Sequence, residues 1–162
     1  MVAPARTLQQ RIQDVLRRLE HDVDGWVATA ANDMPYLVPL SFLWDGTTLL
    51  IATTSDSPTG RNLLTSGQVR LGIGLTRDVV LVEGTVQATP ATEIPDDVGD
   101  AFAAKSGFDP RRLTTPYHYF RIRPRRIQAW REENELANRD LMWEGTWLGT
   151  CSSAPAQPPG AG

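Results

Sequence analysis

The chain has 162 residues, 41% of them hydrophobic, with 16 basic and 19 acidic side chains and a formal net charge of -3. That length makes one domain able to bury a sizeable core, and the near balance of charge excludes an electrostatic footprint for nucleic acid. The single cysteine, Cys151, excludes an internal disulfide and fits a reducing cytoplasm, while neither a signal peptide nor a membrane-spanning run can be read in the chain.

Thr7 can cap a first helix in which Leu8, Ile12, Val15, Leu16 and Leu19 form one apolar stripe. Arg11, Arg17 and Arg18 fall off that stripe and are expected on a solvated face. His21 suits the helix end, where the dipole favours a positive group. Gly25 to Ala30 reads as a strand, and Asn32 to Pro35 as the turn into the next. In the second strand Tyr36, Val38, Leu40, Phe42 and Trp44 share one face, with Leu37 and Leu43 opposite, so both faces are expected to be covered. Pro39 cannot donate to a ladder, so that strand is either an edge there or bulged.

Asp45-Gly46 makes a tight reversal, and Thr47 to Thr54 returns as a third strand. It runs into a loop of hydroxyls, Thr53, Thr54, Ser55, Ser57 and Thr59, followed by Gly60, Arg61 and Asn62. Such a loop can surround a phosphate. The hydroxyls donate neutral hydrogen bonds, Arg61 offers a charged fork, and the free N–H groups of a helix beginning at Asn62 would add to both. The plainer reading of Arg61 is a surface arginine at a helix start.

Gln68 to Leu75 is a fourth strand in which Gly72 and Gly74 alternate with apolar residues. Their bare backbone suits either sharp barrel curvature or the approach of a planar ring. Val79 to Thr89 is a fifth strand ended by Pro90, and Ile94 to Ser106 a helix stopped by Gly107. Tyr117 to Arg131 is the last long strand. Phe120 and Ile122 are even-numbered whereas Ile127 and Ala129 are odd, so one residue must be absorbed near Pro124, as a bulge would do. Leu141 to Leu148 reads as a small hairpin turning at Glu144-Gly145. Residues 1–150 form the domain, and the Pro/Gly-rich stretch from Cys151 to Gly162 is expected to be a disordered tail.

The stretch TTLLIATTSDSPTGRNL, followed at a distance by YFRIRPRRIQAW, resembles the pyridoxamine 5'-phosphate oxidase-like superfamily. The resemblance runs from about Leu8 to Leu148. It implies a mainly β fold with a few helices: a homodimeric split β-barrel binding flavin mononucleotide (FMN) or the deazaflavin coenzyme F-420. It also implies that the backbone of Val38, Pro39, Leu40 and Ser41 runs along the cofactor ring. Ala52, Thr53, Thr54, Thr59, Gly60, Arg61 and Asn62 would then hold the ribityl chain and phosphate. Trp130, Arg131 and the hairpin from Trp143 to Trp147 would close the site of a partner subunit. Core or interface packing is the stronger reading of Trp130.

Two departures separate this chain from a true pyridoxamine 5'-phosphate oxidase. Ser41 or Phe42 stands where those enzymes carry a basic residue, and Glu135 to Asp140 lacks their Arg-x-His pair. The resulting expectation is a cytoplasmic oxidoreductase acting on a small organic molecule. The alternative is a non-catalytic protein that sequesters a flavin or haem. Tyr36 and Tyr117 are available hydroxyls, and no acid or base is assigned. His118 is preferred as a hydrogen-bonded structural residue over a haem ligand. Two histidines and one cysteine make no zinc site, so no metal is expected.

Overall fold

In the computed structural model, which describes residues 2–149, Thr7 starts the first helix as its spacing predicts. Its Oγ1 accepts from Gln10 N at 3.2 Å while the Gln10 side chain accepts from Thr7 N at 2.9 Å. This capping box satisfies two N–H groups that α1 (Leu8–His21) would otherwise leave orphaned. β1 (Asp24–Ala31) and β2 (Met34–Trp44) form a hairpin through Asn32 and Asp33. Both turn residues have positive φ, 49° and 62°, which matches the twist of the flanking strands.

β3 (Leu49–Thr54) follows a loop tied by Asp45, whose Oδ1 accepts from Thr47 N at 2.9 Å and Thr48 N at 2.7 Å. Two residues expected in that strand therefore belong to its turn. Next come α2 (Pro58–Ser66), β4 (Gln68–Ile73), β5 (Val79–Pro90) and α3 (Asp96–Ser106). β6 (Tyr117–Trp130), a 3-10 segment (Glu133–Asn138), β7 (Asp140–Trp143) and β8 (Thr146–Trp147) complete the described chain. The tail expected from Cys151 lies outside the described residues.

All pairings are antiparallel, in the order β3-β2-β1-β4-β5-β6-β7-β8. A further pairing of β3 with β6, from Leu49↔Ile122 to Thr54↔Tyr117, closes six strands into a barrel. The expected bulge is present. Glu83 pairs with Arg126 and Gly84 with Pro124, so Arg125 is the extra residue and parity is restored for Ile127 and Ala129. Gly84 is needed there, because a Cβ would sit 2.7 Å from Arg123 O.

The barrel interior holds Val27, Phe42, Leu49, Ile51, Leu71, Val82, Phe120, Ile122 and Ile127, with Val15 and Leu19 from α1 and Leu63 from α2. α1 leads into β1, and α2 leads into β4, the antiparallel neighbour of β1, so the two helices cap opposite ends. A second cluster, Leu50, Ala52, Phe102 and Tyr119, fills the space beneath α3.

Three expectations are corrected here. Arg11 and Arg18 do not share a solvated face with Arg17. Arg11 is 5% exposed, and Arg18 reaches Asp78 at 2.7 Å, its guanidinium occupying the space a Cβ on Gly74 would need. Gly74 itself lies beyond the end of β4 at φ 85°, so it does not share a strand face with Gly72. Finally, β2 is not covered on both faces. Leu37 is 59% exposed and Trp26, diagonal to it on β1, is 53% exposed, because α3 reaches only the far end of β2, near Leu43.

The N-terminal segment is strapped to the residues after β6. Arg6 donates to both oxygens of Glu135, Nε to Oε1 at 3.0 Å and Nη2 to Oε2 at 2.8 Å. Its Nη1 reaches Asp14 at 2.8 Å. Glu135 also accepts from the backbone N–H groups of Arg6 and Arg131, each at 2.9 Å. The Arg6 side chain first, and then these N–H groups, hold the buried Glu135 carboxyl down at about 2.

Candidate functional site

The hydroxyl loop closes on itself more tightly than a list of donors implies. Ser57, not a residue near Asn62, caps α2: its Oγ accepts from Gly60 N at 3.0 Å, and Pro58 occupies the first turn. The Ser57 hydroxyl donates to Thr54 O at 2.8 Å and lies 3.2 Å from Thr53 Oγ1. Gly60 serves the joint between helix and strand, since a Cβ there would fall 2.1 Å from Thr54 O. Thr59 is buried, whereas Arg61 is exposed, with Nη1 on the Asp56 carbonyl. Asn62 turns inward and donates to Thr29 Oγ1 at 3.0 Å, tying α2 to β1.

These contacts define a candidate cradle with one exposed cation, Arg61, beside it. Thr53, Thr54 and Ser55 are half-buried at its wall, Arg61 stands at its mouth, and the positive end of α2 faces it. Ala52 contributes only backbone, because its side chain belongs to the cluster under α3. The donor set fits a phosphate monoester: exposed guanidinium, neighbouring hydroxyls and a helix N-terminus. The exposed Asp56 carboxylate beside it favours a ligand whose negative charge is held on the Arg61 side.

β2 pairs with β3 only from Phe42 to Trp44, while it pairs with β1 along its whole first part, from Met34 to Ser41, without a register shift. Pro39 therefore lies on a free edge and not in a bulge. Val38 and Leu40 lean on the barrel core, and the Ser41 hydroxyl donates to Asp24 Oδ1 at 2.6 Å. The outward face is apolar. Pro39, Trp26 and Gly72 are cross-strand neighbours in one row, and Leu37 lies in the next.

Trp130 is not in this group. Thr53 pairs with His118 at the start of β6, and Trp130 ends that strand twelve residues later. That is about 40 Å of strand, so within one chain Trp130 and the cradle do not meet. Half-buried Trp130 instead carries the Arg139 guanidinium 5.6 Å above its ring. Among the described residues His118 has its Nδ1 buried without a partner, with the ring 6.1 Å from that of Phe120. The phenol of Tyr119, buried on the opposite face of β6, is also unpartnered, and burial pushes it up. Trp26 and Thr29 were missed by sequence reasoning. The alternation of β1 was a signal for Trp26, but nothing local links Thr29 to Asn62.

The sequence model described as pyridoxamine 5'-phosphate oxidase matches residues 9–131. The chain belongs to that family. The match covers every barrel strand and both helices that cap the barrel. Among solved structures, a putative pyridoxamine 5'-phosphate oxidase from Listeria innocua is 18% identical, with TM-score 0.60, covering 74% of this chain and 98% of that one. A FAD-binding protein from Mesorhizobium loti is 19% identical, with TM-score 0.57 and coverage of 78% and 96%. A protein named F420 reductase is 22% identical, with TM-score 0.53 and coverage of 68% and 93%. At these identities the likeness is one of fold. No curated protein matches the sequence.

The architecture is thus the family's split β-barrel, with β6 parting from β3 at Ile122 and carrying β7 and β8 outward. Among the described residues no group of histidine, cysteine, aspartate or glutamate is placed to hold a metal. No helix there is long and apolar enough to cross a membrane.

Proposed function

We propose that the chain is a cytoplasmic, homodimeric oxidoreductase that binds FMN, or alternatively the deazaflavin coenzyme F-420, and acts on a small organic molecule. The observation that carries this reading is the cradle at the end of β3. What supports it is that Ser57, the cap of α2, lies 3.2 Å from Thr53 Oγ1, with half-buried Thr54 and exposed Arg61 on either side of it in the chain. Arg61 would hold the phosphate, with Thr59, Gly60 and Asn62 fixing the helix that carries it. The free edge of β2, from Val38 to Ser41, would lie along the ring. Trp130 would reach the cradle only from a second copy, and the bare apolar face of Trp26 and Leu37 supports such a pairing.

When bound, the cofactor supplies hydride transfer. The chain's own residues then position the ring, neutralise the phosphate and keep water from the apolar side. Vitamin oxidation is not proposed. In the segment that would need an Arg-x-His pair, Glu135 is engaged by Arg6 and the Arg131 N–H.

The test is the absorption spectrum of the freshly purified chain, followed by titration with FMN and with F-420. Saturable binding of one of them at one site per chain is expected. Failure of both would overturn the cradle assignment. Stopped-flow reduction and reoxidation then separates turnover from storage: bound cofactor reacting no faster than free cofactor would favour the sequestering alternative.

A further inference from the structure

A second polar site lies on α1, at the end of the barrel away from the cradle. Arg11 is 95% buried by its 5% exposure, yet no carboxylate lies within ion-pair distance of it among the described residues. Among the described residues its one side-chain hydrogen bond runs from Nη1 to the backbone carbonyl of Asn138, and its Nε is buried without a partner. Every other inward-turned arginine near it is neutralised. Arg6 has Glu135 and Asp14, Arg18 has Asp78, and Arg126 has Asp140. A desolvated guanidinium facing only a neutral carbonyl is costly, and the usual remedy is an anion.

The place for that anion exists. Arg11 lines a pocket of about 440 Å³ together with Thr7, Leu8, Ala137, Asp140, Leu148 and Arg6, whose guanidinium is already engaged by Glu135 and Asp14. The pocket opens on the first turn of the 14-residue α1. The capping box uses Gln10 N, and Arg11 N donates to Thr7 O at 3.0 Å. The N–H groups of Leu8 and Gln9, ahead of them, have no acceptor within the helix. Positive dipole, free N–H groups and an uncompensated guanidinium therefore converge on one concavity.

We infer that the pocket between the first turn of α1 and the Ala137–Asp140 segment is a binding site for a small organic monocarboxylate. Two features select that class. Leu8, Ala137 and Leu148 give the pocket an apolar wall suited to a hydrocarbon body. Asp140, engaged by Arg126 at 2.6 Å and Gln128 at 3.1 Å, keeps a second negative charge in the lining. One ligand charge offsets Arg11, whereas the second charge of a phosphate would face Asp140.

The experiment is calorimetric titration of the full chain with sodium benzoate, sodium acetate and inorganic phosphate at low ionic strength, with thermal shifts in parallel. Benzoate is expected to bind saturably, more tightly than acetate, and to raise the melting temperature. Phosphate is expected to bind at least tenfold more weakly than benzoate. Arg11→Gln should weaken benzoate at least tenfold. Ala137 is exposed, so Ala137→Trp should fill the pocket without touching the core, and it should have the same effect if Arg11→Gln does not fold. FMN affinity should be unchanged in Ala137→Trp, which separates this site from the cradle. No saturable benzoate binding, equal binding of phosphate, or undiminished binding in Ala137→Trp would overturn the inference.

Discussion

Neutralising Glu135 should cost more than any other exchange of one oxygen for one nitrogen in this chain. Glu135 is 4% exposed and accepts four hydrogen bonds, two from the Arg6 side chain and one each from the backbone N–H groups of Arg6 and Arg131. Its folded-state value of about 2 lies below the ordinary 4.5. A depressed carboxylate adds stability that is fully present above the unfolded value and is lost as pH falls through the folded one. The difference corresponds to about 3 kcal/mol, withdrawn progressively between about pH 5 and pH 2. Glu135→Gln keeps the shape and some acceptor capacity but leaves Arg6 with only Asp14 at 2.8 Å and Asp78 at 3.8 Å. We expect it to lose about 3–4 kcal/mol at pH 7, the lower part of the range for breaking a buried pair. Its stability should also fall less steeply than wild type below pH 5. Urea unfolding at half-unit pH steps from 7 to 3 measures both quantities. Parallel curves for the two proteins would refute the claim that this carboxylate is held by the strap.

Arg61→Ala should weaken binding of the better of FMN and F-420 by about 1.5–3 kcal/mol, as for a lost charge-assisted hydrogen bond, read by titration. Equal affinity would remove Arg61 from the phosphate site. Light scattering at micromolar concentration should give twice the chain mass, and Leu37→Asp should give the single mass with little loss of monomer stability, because Leu37 is already bare in one chain. Gly84→Ala should destabilise by about 1–3 kcal/mol, since its Cβ would press on backbone at 2.7 Å. Gly72→Ala, whose Cβ would meet only Leu81 at 3.7 Å, should fold like wild type. Equal melting temperatures for the two glycine variants would show that the bulge relaxes freely.

The barrel was legible wherever neighbours along the chain decide structure. Alternation located the six barrel strands, Asp33 and Glu144-Gly145 marked turns, and the parity change between Ile122 and Ile127 placed the bulge before any strand partner was known. The start of α2 was misplaced at Asn62, because the Ser57 hydroxyl, read as a ligand donor, is the cap and Pro58 opens the helix. What was not legible depends on distance in the chain. Arg6 and Glu135 are 129 residues apart, and Asn62 and Thr29 are 33 apart. The burial of Arg11 depends on where the Asn138 carbonyl comes to rest. Of the candidate site, the loop from Thr53 to Asn62 was found as a contiguous string. The separation of Trp130 from it became visible only once the residues from His118 to Trp130 were known to form one strand, β6.

The joint at Gly60 has a kinetic consequence. With α2 seated on the Thr54 carbonyl and stitched to it through Ser57, strand end and helix start form one rigid body. For the phosphate proposed to bind there, no loop would have to close, and only the Arg61 side chain would swing from Asp56. Side-chain swings are complete within nanoseconds, so encounter and capture should coincide in a single concentration-dependent phase, without the slower unimolecular step that a folding lid would impose.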